Sequence, residues 1–153
     1  IGINYYTRAI VKYDKKIKDI RLVLLQGPLE KTDMGWEVFP EGLSKVIQSM
    51  IEKYSPNLPI HITENGMANK DEIVNETISD NERINFYYSH INEVKKLIDK
   101  KIPIKSYFAW SLLDNFEWAF GYSKRFGLVH VDFENQIRTP KKSWYEFQSY
   151  LLK

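Results

Sequence analysis

The sequence predicts an α/β protein of parallel βα units, an incomplete portion of an eight-stranded (β/α) barrel, on three observations. Strand, loop and helix signals alternate three times along the 153 residues, an order that favours a parallel sheet covered by helices. Connections after the strands are long and those after the helices short, the asymmetry of a barrel whose chemistry sits at the carboxyl ends of its strands. Three such strands cannot close a barrel of eight and would keep two open edges. Residues 1–153 are therefore expected to form one partial domain, with no internal repeat and no linker dividing it.

Ile1 to Thr7 (I-G-I-N-Y-Y-T) reads as the first strand, and Arg8 to Phe39 as a large loop with short strand pieces, punctuated by Gly27-Pro28 and Met34-Gly35. Leu43, Val46, Ile47, Met50, Ile51 and Tyr54 recur at helical spacing, with Pro40 at the entry, and that helix is expected to stop near Ser55-Pro56. Leu58, Ile60 and Ile62 then alternate with Pro59, His61 and Thr63 in a β-branched run too short for a helix, and Asn65-Gly66 supply turn chemistry. This second strand delivers Glu64 to its own tip. A carboxylate at the end of a buried strand is costly unless it is paired or used, and a neighbouring Arg or backbone N–H groups would satisfy it as well as a substrate would.

Met67 to Ile78 is polar and loop-like. Ser79-Asp80-Asn81-Glu82 has the form of a capping box, Ser79 as N-cap and Glu82 reaching back, for a helix that places Ile84, Tyr87, Tyr88, Ile91, Val94 and Ile98 on its buried face. Pro103 marks a break, and Ile104 to Leu112 reads as the third strand, running into Asp114-Asn115. F-G-L-V-H-V-D-F suggests a short ribbon with Asp132 and Glu134 facing solvent. Thr139 and Pro140 are expected as N-cap and first residue of a last helix that buries Trp144, Phe147 and Leu151.

Composition narrows the function. The 22 basic and 20 acidic residues leave a net charge of +2 without a basic stripe for nucleic acid, and the broken run Lys12 to Lys18 reads as a solvated face. Apolar runs fall far short of the roughly 18–20 residues of a spanning helix, so no membrane partner is expected. Zero cysteines exclude disulfides, thiolate metal sites and cysteine nucleophiles and are compatible with a reducing cytosol; a cytoplasmic location is the expectation. Ile1 falls within a strand, so the chain is expected to begin inside a longer protein. His61, His90 and His130 are scattered, and neither a metal nor a cofactor is expected. Four Trp and ten Tyr provide flat apolar faces with polar edges, which suit sugar rings as well as packing.

Three strand tips would converge on one rim: Asn4-Tyr5-Tyr6, Glu64, and Trp110 to Trp118 (W-S-L-L-D-N-F-E-W). They offer an amide, a phenol, two carboxylates (Glu64 and Glu117) and two indoles (Trp110 and Trp118). With no Ser-His-Asp elbow, no Gly-rich phosphate loop and no H-E-x-x-H, the chemistry these groups serve best is that of a carbohydrate.

The stretches I-G-I-N-Y-Y-T, M-G-W-E-V-F-P-E-G-L, I-T-E-N-G and F-A-W-S-L-L-D-N-F-E-W-A-F-G-Y-S-K-R-F-G resemble, in order, the C-terminal part of the family 1 glycoside hydrolases, the β-glucosidases. The resemblance implies the C-terminal portion of a TIM (β/α)8 barrel, strands six to eight. It implies a retaining β-glycosidase with Glu64 as nucleophile and Tyr6 as the phenol that orients it. Asn4 would lie close to the reacting sugar. Trp110 resembles the platform under the sugar ring, Glu117 and Trp118 the pair that binds its outer hydroxyls, Phe126 the aromatic that closes the subsite, and Trp36 the aglycone wall. An acid at Glu117 would repel a 6-phosphate, which implies an unphosphorylated glucoside, galactoside or fucoside.

One family feature does not occur in the sequence. The acid/base carboxylate sits in an N-E-P motif after the fourth strand; Asn75-Glu76-Thr77 does not match it, and a retaining site needs two carboxyls roughly 5–5.5 Å apart. The resemblance therefore implies that an N-terminal barrel part, as a separate chain or a missing segment, is a partner, and that this chain alone is inactive. The competing reading is a catalytically inactive sugar-binding or structural barrel fragment.

Overall fold

In the computed structural model, which describes residues 1–54, 57–75 and 77–152, strand β1 (Gly2–Asn4) is followed by a hairpin of β2 (Ile10–Tyr13) and β3 (Leu22–Leu25), helix α1 (Pro40–Tyr54) and β4 (Ile60–Asn65). A second small hairpin, β5 (Ile73–Val74) and β6 (Thr77–Ile78), precedes α2 (Asn81–Asp99) and β7 (Ile104–Ala109). A 3-10 turn at Trp118–Phe120, the ribbon of β8 (Val129–Val131) and β9 (Arg138–Pro140), and α3 (Lys142–Leu151) complete the chain. The central sheet has the order β1-β4-β7 and both pairings are parallel, the α/β arrangement expected. Among the described residues no helix is long and apolar enough to cross a membrane.

Alternation in β4 builds the core. Ile60 and Ile62 are fully buried against Leu43 and Ile47 of α1 and Val94 and Leu97 of α2, while Thr63 faces the other, uncovered side. The alternation breaks at the tip, where the pairing with β7 shifts between Ile62 and Asn65. Asn65 is consequently not a turn residue. It is buried, its Nδ2 donates to the Tyr5 carbonyl at 2.6 Å, and its Oδ1 accepts from the Tyr107 hydroxyl. Gly66 has a specific role beside it: a Cβ there would lie 1.8 Å from the Trp110 carbonyl oxygen, so only glycine lets the two strand tips approach this closely.

Several local expectations are corrected. β1 ends at Asn4 and β7 at Ala109, and Leu58 lies outside β4 and is exposed. Val46 and Tyr54 also turn to solvent, Tyr54 at 75% exposure; the expected stop at Ser55-Pro56 lies outside the described residues. The stretch before α2 is not a plain loop, since it buries Met67 and Ala68 and carries the β5–β6 hairpin.

The capping box does not form. The N-cap of α2 is Asp80, not Ser79, and its side chain does not cap. Its buried carboxylate instead accepts from the Ser143 N–H at 2.9 Å, the Ser143 hydroxyl and the Arg83 guanidinium. Those partners draw Arg83 inward and rotate the buried face of α2 to Arg83, Phe86, Tyr87, His90, Val94 and Leu97, leaving Tyr88 and Ile98 exposed. Thr139 and Pro140 belong to β9, paired with His130 and Val129, and Lys141 is the N-cap of α3. Pro140 is accommodated at the end of a two-stranded ribbon, where its missing N–H costs little. In α3, Trp144 and Phe147 are half-buried, but Leu151 is 65% exposed.

His90 links this packing to pH. It is fully buried and stacked on Phe86, ring centroids 3.9 Å apart. Nδ1 lies 2.8 Å from the Phe86 carbonyl, which can only accept, so Nδ1 carries the proton; among the described residues Nε2 has no partner. Burial pushes its pKa down from 6.5 to about 4, against the Phe86 hydrogen bond and the charges of Glu41 and Glu93. The folded state thus holds the proton more weakly than the unfolded chain. Stability is complete above pH 6.5 and is lost as pH falls through 4, by up to about 3 kcal/mol. In urea unfolding from pH 7 to 4, the native sequence is expected to lose that much more stability than His90→Leu; parallel pH curves for the two would refute it.

Candidate active site

The loops leaving the carboxyl ends of β1, β4 and β7 enclose a cleft of about 400 Å³ lined by Tyr6, Trp36, Glu64, Trp110, Glu117, Trp118 and Phe126. These are seven of the eight residues singled out from sequence. Asn4, the eighth, stands outside the lining, on the uncovered face of the sheet, where its Oδ1 accepts from the Thr63 hydroxyl at 2.6 Å.

Glu64 and Tyr6 are joined directly. The Tyr6 hydroxyl donates to Glu64 Oε2 at 2.6 Å, and the Tyr5 N–H donates to the Glu64 carbonyl at 2.9 Å, which holds the two strand tips in register. Burial, the hydrogen bond to Glu64 and the negative charges of Glu64 and Glu117 push the Tyr6 phenol far above its ordinary range, so it remains a donor at any working pH. Among the described residues no Lys, Arg or His forms an ion pair with Glu64. The carboxylate faces the cleft with one orienting phenol and no neutralising cation.

Aromatic packing shapes one wall. The rings of Tyr6, Trp36 and Phe126 lie in mutual contact, with centroids 5.6 to 6.2 Å apart. Trp36 is presented by a tight turn in which the Gly35 N–H donates to the Thr32 carbonyl at 2.8 Å and Gly35 takes a φ of +74°. The next residue, Glu37, anchors that turn by accepting from Arg8 Nε at 2.7 Å and from the Leu29 N–H at 2.8 Å.

The opposite wall comes from the segment after β7. Trp110 is fixed at its backbone, its N–H donating to Asn65 at 2.8 Å and its carbonyl accepting from the Tyr87 hydroxyl at 3.1 Å. Glu117 and Trp118 sit in a closed turn, with the Glu117 N–H on the Gly121 carbonyl at 2.7 Å. Trp118 has a φ of +42°, a left-handed conformation that a bulky residue adopts only when its surroundings impose it. Its indole is 82% exposed over the cleft. Burial and the nearby charge of Glu64 raise the Glu117 carboxyl above its ordinary value, so the two acids sense one another across the cleft.

Such a cleft can hold a polyhydroxylated ring: flat indole and phenyl faces for its C–H side, carboxylates for its hydroxyls, and an oriented carboxylate for one reacting carbon. Among the described residues no three His, Asp or Glu side chains are grouped to hold a metal ion. The sequence reading missed the charges behind the walls, the buried Asp71, Arg83, Asp114 and Lys141 and the half-buried Arg125. They come from four separate segments, and no local spacing marks them.

Comparison with known proteins bears on this geometry. The model of the glycosyl hydrolase family 1 matches residues 1–152. The chain is 44% identical over 151 residues to a 1,4-beta-D-glucan glucohydrolase of Thermotoga neapolitana, an alignment that covers 97% of this chain and 33% of the relative. It is 38% identical over 166 residues to a bifunctional beta-D-glucosidase/beta-D-fucosidase of Bifidobacterium breve, covering 95% and 35%. It superposes on the family 1 β-glucosidase from Thermotoga maritima with a TM-score of 0.94 at 41% identity, covering 99% of this chain and 34% of that one. The chain thus spans about a third of the length of the relatives it matches.

Proposed function

Since this chain belongs to glycosyl hydrolase family 1, we propose that it is the C-terminal third of a retaining β-glycosidase, holding strands six to eight of the barrel and the nucleophile Glu64. The observation that carries the reading is the Tyr6–Glu64 hydrogen bond of 2.6 Å at the floor of an aromatic cleft, with no cation on the carboxylate among the described residues. A structural acid would be neutralised; an attacking one is held by a donor and left free to reach a reacting carbon.

Glu64 attacks the anomeric carbon to form a glycosyl ester as the bond to the aglycone oxygen breaks and that oxygen takes a proton from the acid/base carboxyl; water, giving a proton back to that carboxyl, then displaces Glu64, so two inversions retain the β configuration. As the ester forms, the carboxylate loses its charge and the Tyr6 hydrogen bond weakens; as it opens, both are restored. The acid/base carboxyl comes from an N-terminal barrel part, as a separate chain or a contiguous segment, positioned about 5–5.5 Å from Glu64. Trp110 carries the sugar ring, Glu117 and Trp118 bind its outer hydroxyls, Phe126 closes that side, Trp36 walls the aglycone, and Asn4 acts from the neighbouring sheet face. The substrate is an unphosphorylated β-glucoside first, because a phosphate would meet the carboxylate of Glu117. Galactosides and fucosides follow, the latter supported by the activity named for the Bifidobacterium relative.

Incubation of the assembled protein with a 2-fluoro β-glucoside, followed by peptide mapping, is expected to place a covalent adduct on Glu64. The second reading, an inactive sugar-binding or structural fragment, draws on the absence of an N-E-P motif from the chain. It would be favoured if no adduct formed on any residue once the N-terminal part is present.

A further inference from the structure

We propose that Asp114, clamped by Lys141 and Arg125, is a positioning residue that sets the separation between the two walls of the sugar cleft. This rests on the reading of that cleft as the glycone site. The Asp114 side chain is fully buried and takes four donors: Lys141 Nζ at 2.8 Å and the Gly127 N–H at 2.8 Å on Oδ1, and Arg125 Nη1 at 2.9 Å and the Val131 N–H at 3.4 Å on Oδ2. Two of those donors, Arg125 and Gly127, flank Phe126. Asp114 itself lies three residues before Glu117 in the segment that carries Trp110, Glu117 and Trp118. One carboxylate therefore joins the segment before β8 that presents Phe126 to the loop that presents the other side of the cleft. The backbone repeats the join, with the Ser111 N–H on the Phe126 carbonyl at 3.1 Å and the Asp114 N–H on the Val129 carbonyl at 3.0 Å. A Cβ on Gly127 would lie 2.2 Å from the Asp114 nitrogen, so these two segments approach at a distance only glycine permits.

The clamp reaches further back. Lys141 also donates to Asp71, and Asp71 takes both Arg83 nitrogens at 3.0 Å in a bidentate pair. Arg83 bonds Asp80 and the Arg125 carbonyl, the latter at 2.8 Å. Asp71, Asp80 and Asp114 are matched by Arg83, Arg125 and Lys141, three charges against three. Burial opposes ionisation of Asp114, yet the Lys141 charge and the hydrogen bonds from Lys141, Arg125 and Gly127 hold its carboxyl below the usual range.

A buried ionic network is a weak source of net stability, because desolvation of its members offsets most of their attraction. What it supplies that apolar packing does not is direction. Each bond fixes an angle as well as a distance, and the loops after β4 and β7, the start of α2 and the start of α3 are locked to a single arrangement. None of Asp71, Asp80, Arg83, Asp114, Arg125 and Lys141 lines the cleft, so their effect on a sugar passes through Phe126, Glu117 and Trp118.

The test uses the assembled enzyme carrying this chain, with Asp114→Asn and the milder Arg125→Gln, whose parent side chain is 23% exposed. Active sites are counted by 2-fluoro glucoside trapping, and steady-state rates are measured on an aryl β-glucoside. The expected result is a rise in KM of about tenfold or more with kcat per trapped site held within about threefold. Deoxynojirimycin affinity falls in step, and Arg125→Lys restores most of the loss. Variants that melt earlier but keep the original KM and inhibitor affinity would show a merely structural role and overturn the proposal while leaving the glycosidase reading intact. An unsubstituted enzyme that neither traps the probe nor binds deoxynojirimycin would remove that reading, and this inference with it.

Discussion

Glu64→Ala in the assembled enzyme is expected to lower kcat on an aryl β-glucoside by about 10⁴- to 10⁶-fold, the scale of losing a covalent nucleophile, with a much smaller change in KM. The asymmetry follows from the geometry. Trp110, Trp118, Glu117 and Phe126 line the cleft independently of Glu64, so the ground-state contacts survive its removal. The bond to the anomeric carbon exists only along the reaction path. Tyr6 loses its acceptor, and because its phenol is held far above its ordinary range partly by that carboxylate, the same substitution lowers the barrier to Tyr6 ionisation. Truncation to Ala also vacates space for a small anion. Azide added to the variant should restore phenol release and yield a glycosyl azide inverted at the anomeric carbon, since only one displacement then takes place. Release of phenol by Glu64→Ala at the unsubstituted rate, without added azide, would remove Glu64 from the mechanism.

The site was more legible in the sequence than the scaffold that holds it, and the reason lies in the range of the interactions. Glu64 could be placed at a strand tip because the alternation of Ile60 and Ile62 is a local pattern that the buried core reproduces. Trp110, Glu117 and Trp118 followed because one contiguous segment carries all three. Asn4 shows where strand pattern stops being enough. A side chain on a sheet faces one side or the other, and the Thr63 hydroxyl holds this one on the uncovered side. Ser79 failed as a cap because Asp80, one residue later, finds stronger partners 63 residues away in Ser143. The buried face of α2 was read out of phase because a hydrophobicity pattern counts Arg83 and His90 as surface residues, whereas Asp71, Asp80 and the Phe86 ring make both of them interior. Thr139-Pro140 looked like a helix start for the same reason: the ladder to His130 and Val129 that makes it a strand is invisible without the partner. Local chemistry marked the side chains that line the cleft, and long-range pairing decided their supports.

Isolated in solution, the chain is expected to hydrolyse aryl β-glucosides at least about 10³-fold more slowly than when it is combined with an N-terminal barrel part that carries the N-E-P motif, since general acid–base assistance alone contributes about 10²- to 10⁴-fold. Chemistry and packing both point to this. Glu117 is the other carboxylate lining the cleft, and the hydroxyl-binding role proposed for it calls for a different position around the ring from leaving-group protonation. Among the described residues β1 and β7 each pair with β4 alone and form the two edges of the sheet, an arrangement that invites further strands. Beside β7, Ala109, Leu112, Leu128, Trp144, Phe147 and Leu151 line an apolar groove, and on the sheet Phe108 is more than half exposed. Closing the barrel would cover these surfaces and bring the second carboxyl to Glu64 in one step. Separate expression, mixing and light scattering are expected to give a one-to-one complex whose activity rises with the concentration of the added part. A Glu→Gln change in the N-E-P motif of that part should leave the complex intact. It should abolish hydrolysis of substrates with poor leaving groups, which need a proton donor, and spare the first step on activated aryl glucosides, which do not. Full activity of the isolated chain would contradict the division of the two carboxyls between the parts.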